Sequence, residues 1–398
     1  MRVSTNEIFR VGIDAMQRGQ SQLSHTQLQL SSGKRILTPA DDPRGATQAL
    51  QLRERIDATD QFLRNSNFAT SRLNQEETVL GQMGGALQRA RELTVQAANA
   101  TQTTESRQAI AAEIRHIVDA LVDLGNTRDA NGEYLFAGFK SGSLPFVSNA
   151  AGEIEYLGDN GQRFVAISTD RQVAVGDSGD KLMSVPRGNG VYVAAPSVLN
   201  TGSVWITATE VTDPTTIGPD SFTIQFTTPT DYDILDASAA VIASGTYADG
   251  QAIDIGGRRI VLSGTPSTGD SIAVDPAGVD SMFAMLTDLA TAIEQPAYDD
   301  ATRSQLSQAT GFALQNLDQS LGRVIELRTA VGARLNTIES QGIVSEEHKL
   351  QLQTTLSSVE DLDYAEAISR LSVQQAALEA AQQTYVQLSR LSLFDFIR

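Results

Sequence analysis

The sequence predicts a mainly α-helical protein with a β insertion: an elongated antiparallel helical bundle made from both chain ends, with a solvent-facing β domain in the middle. Apolar residues recur every seven positions near both ends of the 398-residue chain. Short alternating runs rich in Gly, Thr, Val and Asp fill the middle. A chain ordered as helices, strands and helices commonly packs its two ends together and carries the strands as an insertion.

The N-terminal helix carries a narrow apolar stripe within its first 35 residues. The stripe consists of Phe9, Met16, Leu23 and Leu30. Gln, Ser, Arg and Asp stand between them, which is typical of a coiled-coil seam rather than the broad face of a globular helix. Gly12, Gly19 and the stop at residues 31–33 weaken this helix when it is isolated.

Three further helices are predicted before the β insertion. Two prolines and two aspartates within residues 38–43 end the first helix and cap the second. The second helix is predicted at 44–64, the third at 68–100 and the fourth at 103–128. Leucines spaced by seven support the third helix, and aliphatic residues line one face of the fourth.

The character of the sequence changes at Asn131-Gly132 and stays different to about residue 275. Alternating runs at 162–167, 204–209 and 222–227 predict β-strands, and Gly256-Gly257 predicts a tight turn. Residues 186–278 contain ten acidic and three basic residues, a net charge of −7. We therefore expect this block to face solvent.

Helical periodicity returns at about residue 279 and continues to the end of the chain. Helices are predicted at 279–294 and 301–339, and a last helix from about residue 345 to the C-terminus. The last helix has a second heptad seam, in which small or polar residues occupy half of the positions. The apolar residues of this seam and of the tail beyond it are Leu371, Leu378, Tyr385, Leu388, Phe394 and Phe396.

These elements predict three domains. Residues 1–43 and 350–398 form a terminal coiled-coil inner domain. Residues 44–189 and 276–349 form a helical bundle domain with a β-hairpin region. Residues 190–275 form a β-rich outer domain.

Composition excludes several classes of protein. A net charge of −18 argues against binding to nucleic acid or to an anionic membrane. The absence of cysteine rules out disulfides and thiolate metal sites. The sequence has no run of 18 apolar residues, so no membrane span is predicted. The polar N-terminus also lacks the apolar core of a signal peptide.

The sequence contains no recognisable catalytic or metal-binding constellation. The histidines lie far apart, at His25, His116 and His348, and none has a second ligand at metal-binding spacing. Asp41-Asp42 is interpreted as a helix cap, with a cation or acid–base site as the alternative. Lys34-Arg35 is interpreted as complementing the C-terminal dipole of the first helix, with pairing to a phosphate or to an acidic partner as the alternative. We therefore expect no catalytic residue, no cofactor and no metal.

The two terminal seams are predicted to drive assembly. A small seam residue gains on the order of 1 kcal/mol by burial, whereas ordering a residue costs about 1–2 kcal/mol of backbone entropy. Such ends should be loose in a monomer and fold when neighbouring copies supply more surface. The predicted assembly interface consists of Phe9, Met16, Leu23, Leu30, Leu371, Leu378, Tyr385, Leu388, Phe394 and Phe396.

Four motifs, in the right order, resemble the flagellin superfamily. They are LSSGKRI at 30–36, the Asp41-Asp42-Pro43 loop, NGEYLFAG at 131–138 and GARLN at 332–336. The start MRVST and the ending SLFDFI at 392–397 resemble the hook–filament junction branch, hook-associated protein 3. The Asn-Gln-x-Pro-Gln stretch of flagellin tails is absent. The middle block does not take part in the resemblance.

The resemblance implies a structural adaptor between the hook and the filament of a bacterial flagellum, with no enzymatic activity. Its implied partners are a ring of identical copies, the first hook-associated protein, flagellin and a cytoplasmic export chaperone. Export unfolded through the flagellar type III apparatus would place it in the extracellular flagellum. Two alternatives stay open: a filament flagellin, and a secreted protein with an enzymatic β insertion.

Overall fold

The computed structural model describes residues 5–197, 199–296 and 300–395. The chain divides into two compact units. Residues 1–64 and 341–398 form one, here called the terminal unit, and residues 65–340 form the other, the central unit. The three-domain division made from the sequence stays a prediction.

Long helices dominate both chain ends. In the described residues they are α1 (Thr5–Ser32), α2 (Pro43–Ala97), α3 (Thr104–Gly125), α4 (Gly179–Met183), α5 (Met282–Glu294), α6 (Asp300–Glu360) and α7 (Tyr364–Asp395). The mainly α-helical class with a central β-rich region is confirmed. Helix α3 starts within one residue of its predicted start, and the Thr103 hydroxyl caps it by accepting the backbone N–H of Ser106 at 3.2 Å.

A single helix, α2, replaces the two helices predicted at 44–64 and 68–100. The predicted break lay at residues 65–67, Asn-Ser-Asn, which are residue types that compete with the helix backbone for hydrogen bonds. Ser66 is buried, and the Asn65 side-chain amide donates to the carbonyl oxygen of Ala166 at 2.8 Å. Tertiary contacts therefore continue the helix through a segment of low propensity.

Helix α6 passes its predicted end at residue 339 and stops only at Glu360. One glycine in the predicted gap, Gly342, costs only about 1 kcal/mol in a helix interior. The break comes at residues 361–363, where the Asp363 carboxylate accepts the backbone N–H groups of Ala365 (2.9 Å) and Glu366 (3.2 Å). The predicted boundary between the last two helices was therefore wrong by about five turns of helix.

The strands lie between α3 and α5, and all of their pairings are antiparallel. They are β1 (Phe146–Ser148), β2 (Ile154–Tyr156), β3 (Phe164–Ala166), β4 (Gln172–Ala174), β5 (Ser184–Pro186), β6 (Tyr192–Pro196), β7 (Trp205–Val211), β8 (Phe222–Thr228), β9 (Asp231–Asp236), β10 (Val241–Thr246), β11 (Ala252–Ile255), β12 (Arg258–Ser263), β13 (Ser271–Pro276) and β14 (Val279–Ser281). Because β14 pairs with β5, α5 begins at Met282 rather than at the predicted residue 279.

The strands described in the central unit form three two-stranded sheets, β1-β2, β3-β4 and β5-β14, and two larger sheets. One has the strand order β10-β9-β8-β13-β6 and the other β11-β12-β7. Alternate residues of β12 are buried, and two of them, Ile260 and Leu262, join a core that includes Ile224, Phe226 and Ile272. Gly256 (φ 52°) and Gly257 (φ 78°) make the predicted two-residue turn between β11 and β12, since both central positions of such a turn require positive φ.

The helical core of the central unit is thoroughly buried. The predicted stripe of α2, made of Leu73, Leu80 and Leu87, is 0% exposed. It joins a cluster that also contains Ile110 and Ile114 of α3 and residues from α5 and α6. This part of the chain therefore has the dense packing expected of an independently stable domain.

Candidate assembly site

Helices α1 and α7 pack side by side in the terminal unit, and two glycines of α1 mark the line of contact. A Cβ atom added at Gly12 would lie 3.4 Å from a ring carbon of Tyr385, and one added at Gly19 would lie 3.5 Å from Leu378 Cδ1. Moving seven residues forward in α1 moves seven residues back in α7. The two helices are therefore antiparallel and meet with heptad periodicity.

Burial along α7 follows the predicted seam. Between Ile368 and Gln387 the partly buried positions are 371, 374, 378, 381 and 385, and all remaining positions of this stretch are exposed. These are steps of three and four residues, as knobs-into-holes packing requires. Gly12 and Gly19, which weaken an isolated α1, lie within this seam.

The predicted interface residues fall on these facing stripes where the structure describes them. Met16, Leu23, Leu30, Leu371, Leu378 and Tyr385 are all partly buried. The side chains of Phe9, Leu388 and Phe394, and all of Phe396, lie outside the described residues. The structure thus brings together six of the predicted residues in one two-helix seam.

Much apolar surface on these two helices is uncovered within the chain. In α7, Ile368 is 53% exposed and Val373 66%. In α1, Val11 is 55% exposed and Leu28 57%. Each helix therefore packs on one side only and leaves other apolar side chains in water.

The turn after α1 is fastened to the turn before α7 by main-chain hydrogen bonds. The backbone N–H of Arg35 donates to the carbonyl oxygen of Glu360 (2.7 Å), and that of Leu362 donates to the carbonyl oxygen of Gly33 (3.0 Å). Gly33 has φ 68°, and a Cβ there would lie 2.8 Å from the Tyr364 hydroxyl oxygen. Glycine therefore satisfies both the backbone conformation and the close approach. We call this pair of turns the clasp.

A buried carboxylate forms the centre of the clasp. Glu360 is 5% exposed and pairs with Lys34 Nζ (2.5 Å) and with the Arg53 guanidinium. Burial opposes ionisation of Glu360, but the hydrogen bonds from Lys34 and Arg53 outweigh it, so the pKa of this carboxyl is lowered. Glu360 therefore carries its negative charge at neutral pH.

The basic pair after α1 has partners different from the one predicted. Arg35 donates to the carbonyl oxygen of Val359 (2.7 Å) and pairs with Asp42 (3.3 Å). It therefore complements the C-terminal end of α6 rather than that of α1. The basic pair also has acidic partners, as the alternative interpretation proposed. These are Glu360 for Lys34 and Asp42 for Arg35, both in the same chain. Sequence reasoning could not find them, since residues 34 and 360 are far apart along the chain.

In the Asp41-Asp42 pair, Asp42 caps α2 as predicted, whereas Asp41 binds the preceding turn. Asp41 Oδ2 accepts the backbone N–H groups of Leu37 (3.0 Å) and Thr38 (2.8 Å), and these bonds help to lower its pKa. Asp42 Oδ1 accepts the backbone N–H of Gly45 (2.9 Å) at the start of α2. Both carboxylates are thus occupied by local structure.

The described residues contain no cluster of three or more His, Asp or Glu side chains with metal-binding geometry. His25 lies 3.0 Å from Asp41 Oδ1, and His116 and His348 are exposed. No helix in the described ranges is long and apolar enough to span a membrane.

Comparison with known proteins identifies the family. Residues 3–141 match the bacterial flagellin N-terminal helical region. Flagellar hook-associated protein 3 of Escherichia coli K12 is 26% identical over 396 residues, covering 99% of each chain. The crystal structure of FlgL from Xanthomonas campestris is 30% identical with a TM-score of 0.72, covering 76% of this chain and 98% of that one. The chain belongs to the flagellar hook-associated protein 3 (FlgL) family.

A second crystal structure supports membership of the FlgL family. The flagellar junction protein FlgL of Legionella pneumophila is 28% identical with a TM-score of 0.71, covering 80% of this chain and all of that one. Flagellin of E. coli K12 is 32% identical, but over 142 residues only, which cover 36% of this chain and 28% of flagellin. The likeness to flagellin is therefore partial, whereas the likeness to the FlgL family extends from end to end.

Proposed function

We propose that this chain is the structural adaptor subunit that joins the bacterial flagellar hook to the filament. The end-to-end match to hook-associated protein 3 carries this proposal, because the flagellin match covers only about a third of the chain. Similar proteins of this family are flagellar components, which supports a site of action in the extracellular flagellum. No enzymatic activity is proposed, since the assignment rests on structural proteins.

The assembly mechanism uses the two terminal seams. Within one chain, α1 and α7 bury only the faces that they turn toward each other, so residues such as Ile368 and Val373 are exposed to solvent. Helices of neighbouring subunits can cover these faces, and the buried apolar area then stabilises the assembly. The interface comprises the seam residues predicted from the sequence, from Phe9 through Leu30 and from Leu371 through Phe396.

The proposed partners follow from this position in the flagellum. A ring of identical copies contacts the first hook-associated protein on the hook side and flagellin on the filament side. A cytoplasmic chaperone holds the C-terminal helix before secretion by the flagellar type III apparatus. The exposed apolar residues of α7 support a chaperone contact, because such residues promote aggregation of a free chain.

Immunogold electron microscopy of intact flagella tests this function against filament flagellin. Antibody against this chain should label only the boundary between hook and filament. Purified protein should cap isolated hooks without growing long filaments. A label along the whole filament, or filaments grown from this chain alone, would contradict the adaptor assignment and favour flagellin.

A further inference from the structure

Residues 175–178, between β4 and α4, are held by α2 inside the central unit. The Arg72 guanidinium donates from Nε to the carbonyl oxygen of Val175 at 2.9 Å. The backbone N–H of Asp177 donates to Glu76 Oε1 at 3.0 Å. Arg72, Glu76 and Asp177 are 4%, 1% and 3% exposed, so these contacts are made out of water.

The Asp177 carboxylate is fully occupied by other groups. Arg334 of α6 donates to it from both terminal nitrogens, at 2.8 and 3.1 Å. The Gln162 amide donates at 3.0 Å, and Lys181 Nζ lies 3.6 Å away. Asp177 therefore joins α6 to the segment at 175–178 through its pairs with Arg334 and Lys181.

Glu76 differs from Asp177 because no cation is paired with it. Among the described residues no ion pair involves Glu76, and Oε2 is buried without a hydrogen-bond partner. The nearby cations serve other carboxylates: Arg72 pairs with Asp129, and Arg163 pairs with Glu133 (2.7 Å). The charged groups that act directly on Glu76 are Asp177, Arg334 and Arg72. Around these lie Asp129, Glu133 and Arg163, next to Arg72, and Lys181, next to Asp177.

A buried carboxylate without a paired cation, next to a second carboxylate, is unfavourable, and binding a proton removes the electrostatic part of that penalty. Burial raises the pKa of the Glu76 carboxyl to about 8, and the charge of Asp177 acts in the same direction. The hydrogen bond from the Asp177 N–H needs only a carbonyl-type acceptor, which the neutral acid still provides.

We propose that Glu76 is a proton-dependent latch: its neutral form holds residues 175–178 between α2 and α6, and its ionised form releases them. The latch belongs to the central unit and does not depend on the assembly function. It makes the packing of the helical core sensitive to pH on the alkaline side of neutrality.

The direction of the pH effect follows from linkage. A carboxyl whose pKa is raised in the folded state stabilises fully below its unfolded pKa, near 4.5, and loses that contribution as the pH rises through about 8. Between those values one extra proton is bound in the folded state. The unfolding equilibrium constant should then rise about tenfold per pH unit relative to a variant without this group.

Urea unfolding of the full chain at pH 5 to 9 tests the latch, using Glu76→Gln and the neighbouring control Glu77→Gln. Glu77 is partly exposed and paired with Arg328 at 2.7 Å. The ratio of wild-type to Glu76→Gln unfolding constants should rise steeply from pH 5 to 8 and then level off. Glu77→Gln should follow the wild-type profile.

Parallel pH profiles for wild type and Glu76→Gln would overturn the proposal. So would failure of Glu76→Gln to fold at pH 6, because glutamine closely resembles the neutral acid. Hydrogen exchange provides a local readout: after correction for intrinsic rates, protection of the Asp177 amide should fall between pH 6 and 9 in wild type and stay constant in Glu76→Gln. Equal losses in both would also contradict the latch.

Discussion

The α1–α7 seam and the α2 stripe of the central unit both space their apolar residues by seven, yet they are buried to very different degrees. Leu73, Leu80 and Leu87 are 0% exposed, because α3, α5 and α6 contribute to the same core. Leu371 and Leu378 are only partly buried, because α1 alone packs against this stripe and has glycine at two of the contact points. Periodicity thus predicts which face of a helix is apolar, and the number of helices packed against that face decides how deeply it is buried.

This contrast assigns different tasks to the two regions. The central unit is stable within one chain, as a core of close-packed side chains should be. The terminal helices leave surface for other chains to cover. The four predictions below test the difference, from the largest expected effect to the smallest.

The largest effect is expected from a charge in the terminal seam. Leu378→Asp or Leu23→Asp places a carboxylate where a closed seam excludes water, which costs several kcal/mol in the assembled state. We expect export of the variant but no filaments attached to cells, scored by electron microscopy. The controls Ala377→Asp and Ser24→Asp alter adjacent exposed positions. Normal filaments with Leu378→Asp and Leu23→Asp would refute the seam assignment.

A cavity in the central core should cost more stability than the same change in the seam. Leu80→Ala should lower the free energy of unfolding of the purified chain by about 3 kcal/mol, as buried leucines commonly do. Leu378→Ala should cost about 1 kcal/mol or less, because Leu378 is already partly hydrated. Equal losses in denaturant unfolding would show that the free chain has a closed seam and would remove the contrast.

The clasp should show an acid-side pH dependence. Because the pKa of Glu360 is lowered, its contribution is present above the unfolded value near 4.5 and disappears as the pH falls through the folded value. Glu360→Gln should lose about 1–2 kcal/mol at pH 7, since Lys34 and Arg53 stay partly hydrated. The loss should shrink towards pH 3 in thermal unfolding.

The control for the clasp is Glu366→Gln, which removes an exposed pair with Arg370 on α7. It should change stability by less than about 0.5 kcal/mol at any pH. A pH-independent loss for Glu360→Gln would show that its shape, rather than its charge, holds the clasp.

The smallest effect is expected at the seam glycines, and its sign is positive. A Cβ at Gly19 would meet Leu378 Cδ1 at an ordinary contact distance of 3.5 Å. Gly19→Ala should therefore stabilise α1 by up to about 1 kcal/mol through helix propensity. Circular dichroism of the free chain should show a slightly higher melting temperature. A lower one would mean that the helices approach each other more closely than the structure shows.

Sequence reasoning found the features that depend on local pattern. Both heptad seams, the Asp42 cap and the Gly256-Gly257 turn are set by neighbouring residues, so they could be predicted. The prediction failed where distant residues override local preference. Helix α2 continues through the polar residues 65–67, where Ser66 is buried. Helix α7 begins at a cap formed by Asp363, a start that the apolar periodicity did not reveal.

The clasp and the latch show the same limit more sharply. Lys34 was identified as a conspicuous charge, but its partner Glu360 lies at the other end of the chain. Glu76 stands beside Glu77 in a polar run of α2, and nothing in that run shows which of the two is buried. Burial of a charge depends on the elements that surround it, and only the folded structure contains that information.

Hydrogen exchange of the backbone in the free protein, and in copies bound to isolated hooks, tests the central claim most directly. In the free protein, amides of α1 and α7 should exchange much faster than those of residues 69–97 and of α3. On binding to hooks, α1 and α7 should become protected while the central helices change little. Equal protection of all these helices in the free protein would contradict the claim that the chain ends are completed by assembly.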